Sequence, residues 1–169
     1  MNKVVIVDET DSPIDLKEYP NIAYEDIYRV SVLWLTDIKN GYCLMTQRKW
    51  TKHNDPGKWM AAASGTIEEN ESYDENIVHE IEEEIGLKEL DLKKGPKEFI
   101  DDGKHKFFTQ WYMAGVDKGK VTIKIQTEEV ESFDWVPIQN LIKELKNNPD
   151  KFVPSLNNSL LALGILEEN

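Results

Sequence analysis

Runs rich in β-branched and aromatic residues dominate the first third of the chain. "RVSVLWLT" (29–36) and "GYCLMTQR" (41–48) predict two strands, and the Asn-Gly in the intervening "DIKNG" predicts that they pair as an antiparallel hairpin. Residues 3–7 predict an earlier strand, followed by a turn at "DETDSP" and an irregular or briefly helical passage through "LKEYPNIAYED". Further strands are predicted over "WMAAA" (59–63), "HKFFTQWYMAGV" (105–116), "KVTIKI" (120–125) and "ESFDWV" (131–136).

Helical spacing takes over elsewhere. Ile77, Ile81 and Ile85 fall four apart and form one apolar stripe, Ser72 and Glu75 form a capping box ahead of it, and Gly86 suits a helix end. This predicts a helix from Tyr73 to about Ile85. "PIQNLIKELKNN" (137–148) and "SLNNSLLALGILEE" (155–168) predict two more. Strands mixed with about three helices indicate an α/β or α+β layered domain. With no repeat, low-complexity tract or linker, residues 1–169 are expected to form a single domain.

Charge changes the picture. Residues 65–87, "GTIEENESYDENIVHEIEEEIGL", hold nine acidic side chains and no lysine or arginine. At about 100° per residue, Glu80, Glu83 and Glu84 share roughly one third of the helix circumference, beside the isoleucine stripe. They lie toward the C-terminal end, where the helix dipole disfavours anions, and only Lys88 is placed to compensate Glu84. A solvated face would mix in lysines, so a metal cation is the expected partner. Dense carboxylate oxygens suit Mg²⁺, Mn²⁺ or Ca²⁺, and "HEIEE" lacks the second histidine of the H-E-x-x-H zinc pattern.

The net charge of −12 opposes attraction to nucleic acid polymers and anionic membranes, so neither is an expected partner. No run is long enough to span a bilayer, and the N-terminal apolar run is too short for a signal peptide, which implies a soluble, cytoplasmic protein. Cys43 is the only cysteine and reads as a small buried residue. The most basic island precedes the acidic segment: "RKWTKHNDPGK" carries Arg48, Lys49, Lys52, His53 and Lys58 against the single acid Asp55. Arg48, at a strand end, is the preferred phosphate contact. Trp50 and Trp59 read as rim or core packing, with stacking on a base as the competing role.

The acidic segment resembles the Nudix box, G-x5-E-x7-R-E-U-x-E-E-x-G-U, with U a bulky aliphatic residue. Gly65, Glu71, Glu80, Ile81, Glu83, Glu84, Gly86 and Leu87 fall at its positions, and His79 stands where the box has arginine. Looser likeness in "VDETDSPI", "MTQRKWTKHNDPGKWMAAASG", "TEEVESFDWVPIQNL" and "FVPS" extends it to nearly the whole chain. Those stretches are similar to the Nudix branch that includes isopentenyl diphosphate isomerase and hydrolase-like relatives. The resemblance implies an α/β/α sandwich around a mixed β-sheet.

The same resemblance implies a hydrolase that uses Mg²⁺ or Mn²⁺ to cleave a diphosphate linkage in a nucleoside di- or triphosphate or another nucleoside diphosphate-linked compound. Glu80, Glu83, Glu84 and the Ser64 carbonyl are the implied metal ligands, Glu80 and Glu83 the implied catalytic residues, and Glu71 a brace. Glu128 and Glu129 are candidates for a further ligand or base. Two alternatives stay open. One is an isomerase of isoprenoid diphosphates, whose catalytic cysteine position falls within Ala61-Ala62-Ala63 and whose later glutamates are missing from "HKFFTQWYMAG". The other is a weakly catalytic nucleotide- or metal-binding module, motivated by His79. Either a monomer or a homodimer is compatible with the sequence.

Overall fold

The computed structural model describes residues 3–167, among which nine strands form one mixed sheet. They are β1 (Val4–Val7), β2 (Pro13–Lys17), β3 (Ile27–Asp37), β4 (Tyr42–Arg48), β5 (Trp59–Met60), β6 (Ala63–Thr66), β7 (Lys93–Asp101), β8 (Lys106–Val116) and β9 (Val130–Pro137). Three α-helices, α1 (Tyr73–Glu80), α2 (Ile138–Asn147) and α3 (Leu156–Ala162), flank it.

β3 organises the sheet. Along one edge it runs parallel to β8 over its whole length. Along the other it meets three antiparallel partners in turn: β1 at Ile27 and Tyr28, β6 from Val30 to Leu33, and β4 at Thr36. The Asn-Gly hairpin therefore forms as predicted, but it pairs only near its tip. β4 then diverges to pair with β5 and, from Tyr42 to Arg48, with β9.

Alternation along the strands sends side chains to two cores, because successive residues of a strand face opposite sides. Leu33, Leu35, Leu44, Tyr112 and Ala114 pack with Ile77, Ile81 and Ile85, the stripe read from the sequence. Trp34, Cys43, Met45 and Trp111 pack on the opposite face with Leu141 and Leu145 of α2 and Leu156 and Leu160 of α3. Helices on both faces of a mixed sheet make the α/β/α layering that the sequence predicts.

Several elements differ from expectation. The predicted strand 59–63 is broken into β5 and β6 at Ala61 and Ala62. Residues 120–125 form no strand, because the outer edge of β8 is occupied by β7. Val121 and Ile123 pack instead beside the α1 core. β7, "KKGPKEFID", was not anticipated: its Gly-Pro and its charges disguise a strand that is mostly exposed and irregular between Lys94 and Lys97. β2 was likewise read as turn and irregular chain, being a short outer strand with little burial. α3 is shorter than the predicted 155–168 and gives way to turns around Gly164, where φ is +70°; residue 168 lies outside the described residues.

Asp11 ties the first loop to the rest of the fold. Its carboxylate receives Arg29 Nε of β3 at 2.6 Å, Lys97 Nζ of β7 at 2.5 Å and the Tyr73 hydroxyl of α1 at 3.2 Å. Burial opposes the charge, but hydrogen bonds and attraction from Lys97 and Arg29 outweigh it and hold the carboxyl below the usual aspartate range. Such a group stabilises the fold above its unfolded pKa of about 4 and loses that contribution as pH falls through the folded value. Asp11→Asn, which keeps a residue type tolerant of the positive φ here, is expected to cost about 2 kcal/mol at pH 7. Denaturant melts should show the gap from wild type narrowing as the pH drops below 4; a gap independent of pH would contradict the ion-pair account.

Candidate active site

The acidic helix begins as read: Ser72 Oγ accepts from Glu75 N, and the Glu75 side chain returns to Ser72 N at 2.9 Å. Its end does not stay α-helical. Residues 81–85 form a π turn, closed by Gly86 at φ +70°. A π turn is wider than an α turn and advances by a smaller angle per residue, so it changes which carboxylates share a face. Glu84 points inward and is 8% exposed, whereas Glu83 remains exposed.

Glu84 Oε2 accepts the backbone N–H of Ser64 at 2.9 Å, pinning the helix end to β6. Glu80 lies against Gly65, where a Cβ would stand 2.0 Å from the Glu80 carboxylate oxygen. The box glycine is thus required by close approach. Burial, then repulsion from Glu84 and Glu83, pushes the Glu80 carboxyl up to about 8. Burial pushes Glu84 up to about 7 against the lowering effect of the Ser64 N–H.

Both carboxylates line a cavity of about 540 Å³, within the range of small-molecule sites. Its floor is the sheet face carrying Tyr28, Val30 and Val32 of β3 and Phe107, Thr109 and Trp111 of β8, and Leu156 of α3 contributes to its far wall. Ser64, Arg48, Lys52 and Glu129 also line it, whereas Glu83 and Glu128 do not. The structure thus brings Glu80, Glu84, Ser64 and Arg48 to one cavity and leaves Glu83 beside it.

The remaining sequence candidates are placed as follows. Arg48 donates through Nε to Asn54 O at 3.0 Å, and Nη1 approaches Met60 Sδ at 3.7 Å. Lys88 pairs with Glu82, not with the Glu84 expected from its spacing, because Glu84 has turned inward. His79 is an exposed side chain whose Nδ1 lies 2.9 Å from Glu71 Oε1. Glu71 Oε2 also receives Asn76 Nδ2 at 2.8 Å, and Asn76 in turn accepts the buried Ser31 hydroxyl. Glu71 therefore braces the loop and helix, as its resemblance implies, and His79 joins that brace. Trp50 is 65% exposed and covers Gly57, whereas Cys43 is fully buried, with burial pushing its thiol up to about 12.

Two contributors, Gln126 and Thr109, escaped the sequence reading, and the pairing of Lys52 with Glu129 was not foreseen. Gln126 donates to Glu83 Oε1 at 3.0 Å, Lys52 forms an ion pair with Glu129, and Thr109 lines the floor with a buried hydroxyl that lacks a hydrogen-bond partner among the described residues. The threonine and the glutamine carry no spacing signal, and Lys52 was visible only as one cation among several.

Among the described residues, no three His, Cys, Asp or Glu side chains already form a complete metal cluster. The chemistry nevertheless fits a hard divalent cation, because two mutually repelling carboxylates are sunk into one cavity and supply only oxygen donors. These features define a pocket with an acidic edge, sized for a small molecule, in an α/β/α sandwich. The chain matches the NUDIX domain over residues 27–156 and belongs to the Nudix family. It is a Nudix pyrophosphohydrolase. Members of this family generally use divalent metals and act on small-molecule diphosphates. A prenyl-diphosphate phosphatase of Methanosarcina mazei is 27% identical over 137 residues, covering 81% of this chain and 79% of that protein. An uncharacterized Nudix hydrolase of Pseudomonas aeruginosa is 22% identical over 143 residues, covering 85% and 83%. In structure, DR0079 of Deinococcus radiodurans superposes with a TM-score of 0.74 at 17% identity, covering 86% of this chain and 90% of that one. Among the described residues no helix is long and apolar enough to cross a membrane.

Because the folded pKa values of Glu80 and Glu84 lie above 4.5, their protonated forms favour folding. The pair costs stability progressively as pH rises from about 4.5 toward 8. With chelator present, Glu80→Gln is expected to melt above wild type at pH 8 and level with it near pH 4.5, and Mg²⁺ should raise the wild-type melting temperature at pH 8. Differential scanning calorimetry across that range checks both; a variant no more stable than wild type at pH 8 would refute the account of burial and repulsion.

Proposed function

We propose that this cavity cleaves a small organic diphosphate with water, using Mg²⁺ or Mn²⁺ held by Glu80, Glu83, Glu84 and the Ser64 carbonyl. The observation that carries this reading is the pair Glu80 and Glu84, both with raised pKa values, in one cavity with Arg48. A bound divalent cation supplies neutralisation of the phosphate oxygens and a more acidic water. The chain's own groups do the rest. Glu80, a cation ligand that lies against Gly65 at the cavity, is the carboxylate assigned to accept the proton of the attacking water. Arg48 offers its guanidinium to the phosphate whose bond to the bridging oxygen breaks. Glu83, next to Glu84 on the same helix end, completes the donor set from the rim.

The substrate is read first as a nucleoside di- or triphosphate or another nucleoside diphosphate-linked compound. The floor supports this with Tyr28 and Phe107, stacked at 5.5 Å, and with the unpaired Thr109 hydroxyl, a group that a polar ring could satisfy. A second reading, a prenyl diphosphate, is favoured by Val30, Val32 and Leu156 on the walls and by the named activity of the Methanosarcina relative. Isomerisation is disfavoured, since Ala61, Ala62 and Ala63 supply no acid or base.

The deciding experiment is release of phosphate and pyrophosphate from nucleoside di- and triphosphates and from isopentenyl and geranyl diphosphates, with and without Mg²⁺ or Mn²⁺. Turnover should require metal, and Glu84→Gln should lower kcat/KM at least about 100-fold. Metal-independent turnover, or full activity in that variant, would defeat the proposal. Thr109→Val separates the two substrate readings. It is expected to lower kcat/KM about tenfold for a nucleotide, whose polar atom loses its partner, and to leave a prenyl substrate unchanged or improved.

A further inference from the structure

Residues 120–129 cross the end of the acidic helix without pairing to any strand, and they meet it through hydrogen bonds. Lys124 N donates to Ile85 O at 2.9 Å, and Gln126 N donates to Glu84 O at 3.1 Å. These bonds satisfy carbonyls that the helix end leaves without intrahelical partners. The Gln126 carbonyl accepts from Glu129 N at 3.1 Å and Val130 N at 2.9 Å, closing the turn that puts Glu129 at the cavity. One residue thus joins the helix end to the Glu129 turn through its main chain.

Its side chain adds a separate contact. Nε2 donates to Glu83 Oε1 at 3.0 Å. Because a carboxylate only accepts, this bond fixes the orientation of the amide. Gln126 Oε1 is then buried with no hydrogen-bond partner among the described residues. A buried acceptor without a donor is costly, so the amide holds this orientation because its Nε2 bond to Glu83 offsets that cost.

We infer that Gln126 is a positioning residue for Glu83: it holds one carboxylate oxygen by Nε2, on a main chain anchored to the helix end, and so sets the direction from which Glu83 meets the cation. The inference rests on the cation-binding reading proposed above. It accounts for Glu83 being held at the rim although its side chain is exposed and lacks a cationic partner among the described residues, unlike Glu82, which has Lys88. Residues that orient metal ligands from behind are commonly worth ten- to a hundredfold in affinity.

Gln126→Met keeps the length of the side chain and every main-chain bond while removing both polar atoms. Binding of Mn²⁺ would be followed by electron paramagnetic resonance of the free ion, in wild type, Gln126→Met, Glu83→Gln and the double variant, with Gln126→Ala beside them. Gln126→Met is expected to weaken Mn²⁺ about tenfold, and to change affinity less than twofold when Glu83 is already glutamine. Half-maximal activation should shift to about tenfold more Mn²⁺, with kcat at saturating metal held within about threefold. Metal-free melting temperatures within about 2 °C of wild type are expected, because the main-chain bonds that carry the fold remain. An unchanged affinity in both Gln126 variants overturns the inference, as does an equal loss with and without Glu83. Mn²⁺ binding as tight in Glu80→Gln and Glu84→Gln as in wild type would instead overturn the cation-binding reading on which it stands.

Discussion

The arrangement of this site follows from burying the Glu84 carboxylate against the backbone of β6. Taking a carboxylate out of water costs several kcal/mol unless hydrogen bonds and opposite charge repay it, and here one N–H, from Ser64, is the bond that meets it directly. That bond ties the helix end to β6 one residue from Gly65, against which Glu80 lies. β6 pairs with β3 over four residues and leaves the floor beyond it uncovered. The cavity exists because β4 parts from β3 after the hairpin tip and β6 fills only part of the gap.

Most of the scaffold was legible because its signals are periodic and local. The isoleucine stripe, the capping box and the Asn-Gly hairpin each depend on neighbours within a few residues, and the structure contains all three. The segment 120–125 misled because its alternating valine and isoleucines look the same whether they bury against a strand or against a helix end. β7 went unread for the converse reason: an outer strand needs few apolar residues, and "KKGPKEFID" has only two buried or half-exposed aromatic and aliphatic anchors, Phe99 and Ile100. Which strand takes the edge of β8 is a competition between distant segments, and no local pattern records its outcome.

The acidic cluster was legible as a composition and only partly as a geometry. Angular spacing for an ideal helix puts Glu80, Glu83 and Glu84 on one edge, but the π turn at Ile81–Ile85 separates Glu83 from the other two. Glycine was legible from the box pattern, while the structure supplies the reason: any side chain at position 65 would collide with Glu80. Thr109 and Gln126 became visible only when the fold left each with an unpaired polar atom.

The basic island changes meaning most. Read as sequence, five cations stand ready for phosphate. In the fold, Lys49 pairs with Glu131 at 3.1 Å, Lys52 with Glu129, and Lys58 with Asp55 at 3.5 Å. These pairs are half-buried, and displacing a lysine from its acid for a phosphate frees a carboxylate beside the substrate and returns much of the repulsion. Lys52 illustrates the exchange, since releasing it uncovers Glu129 at the cavity wall. Arg48 differs, because its hydrogen bonds run to a carbonyl and a sulfur, and its attraction to Glu84 acts without a direct ion pair. In a chain of net charge −12, one arginine cannot balance a diphosphate together with Glu80 and Glu84. The remaining positive charge has to arrive from outside the polypeptide, which is why an acidic pocket for an acidic substrate calls for a divalent cation between them.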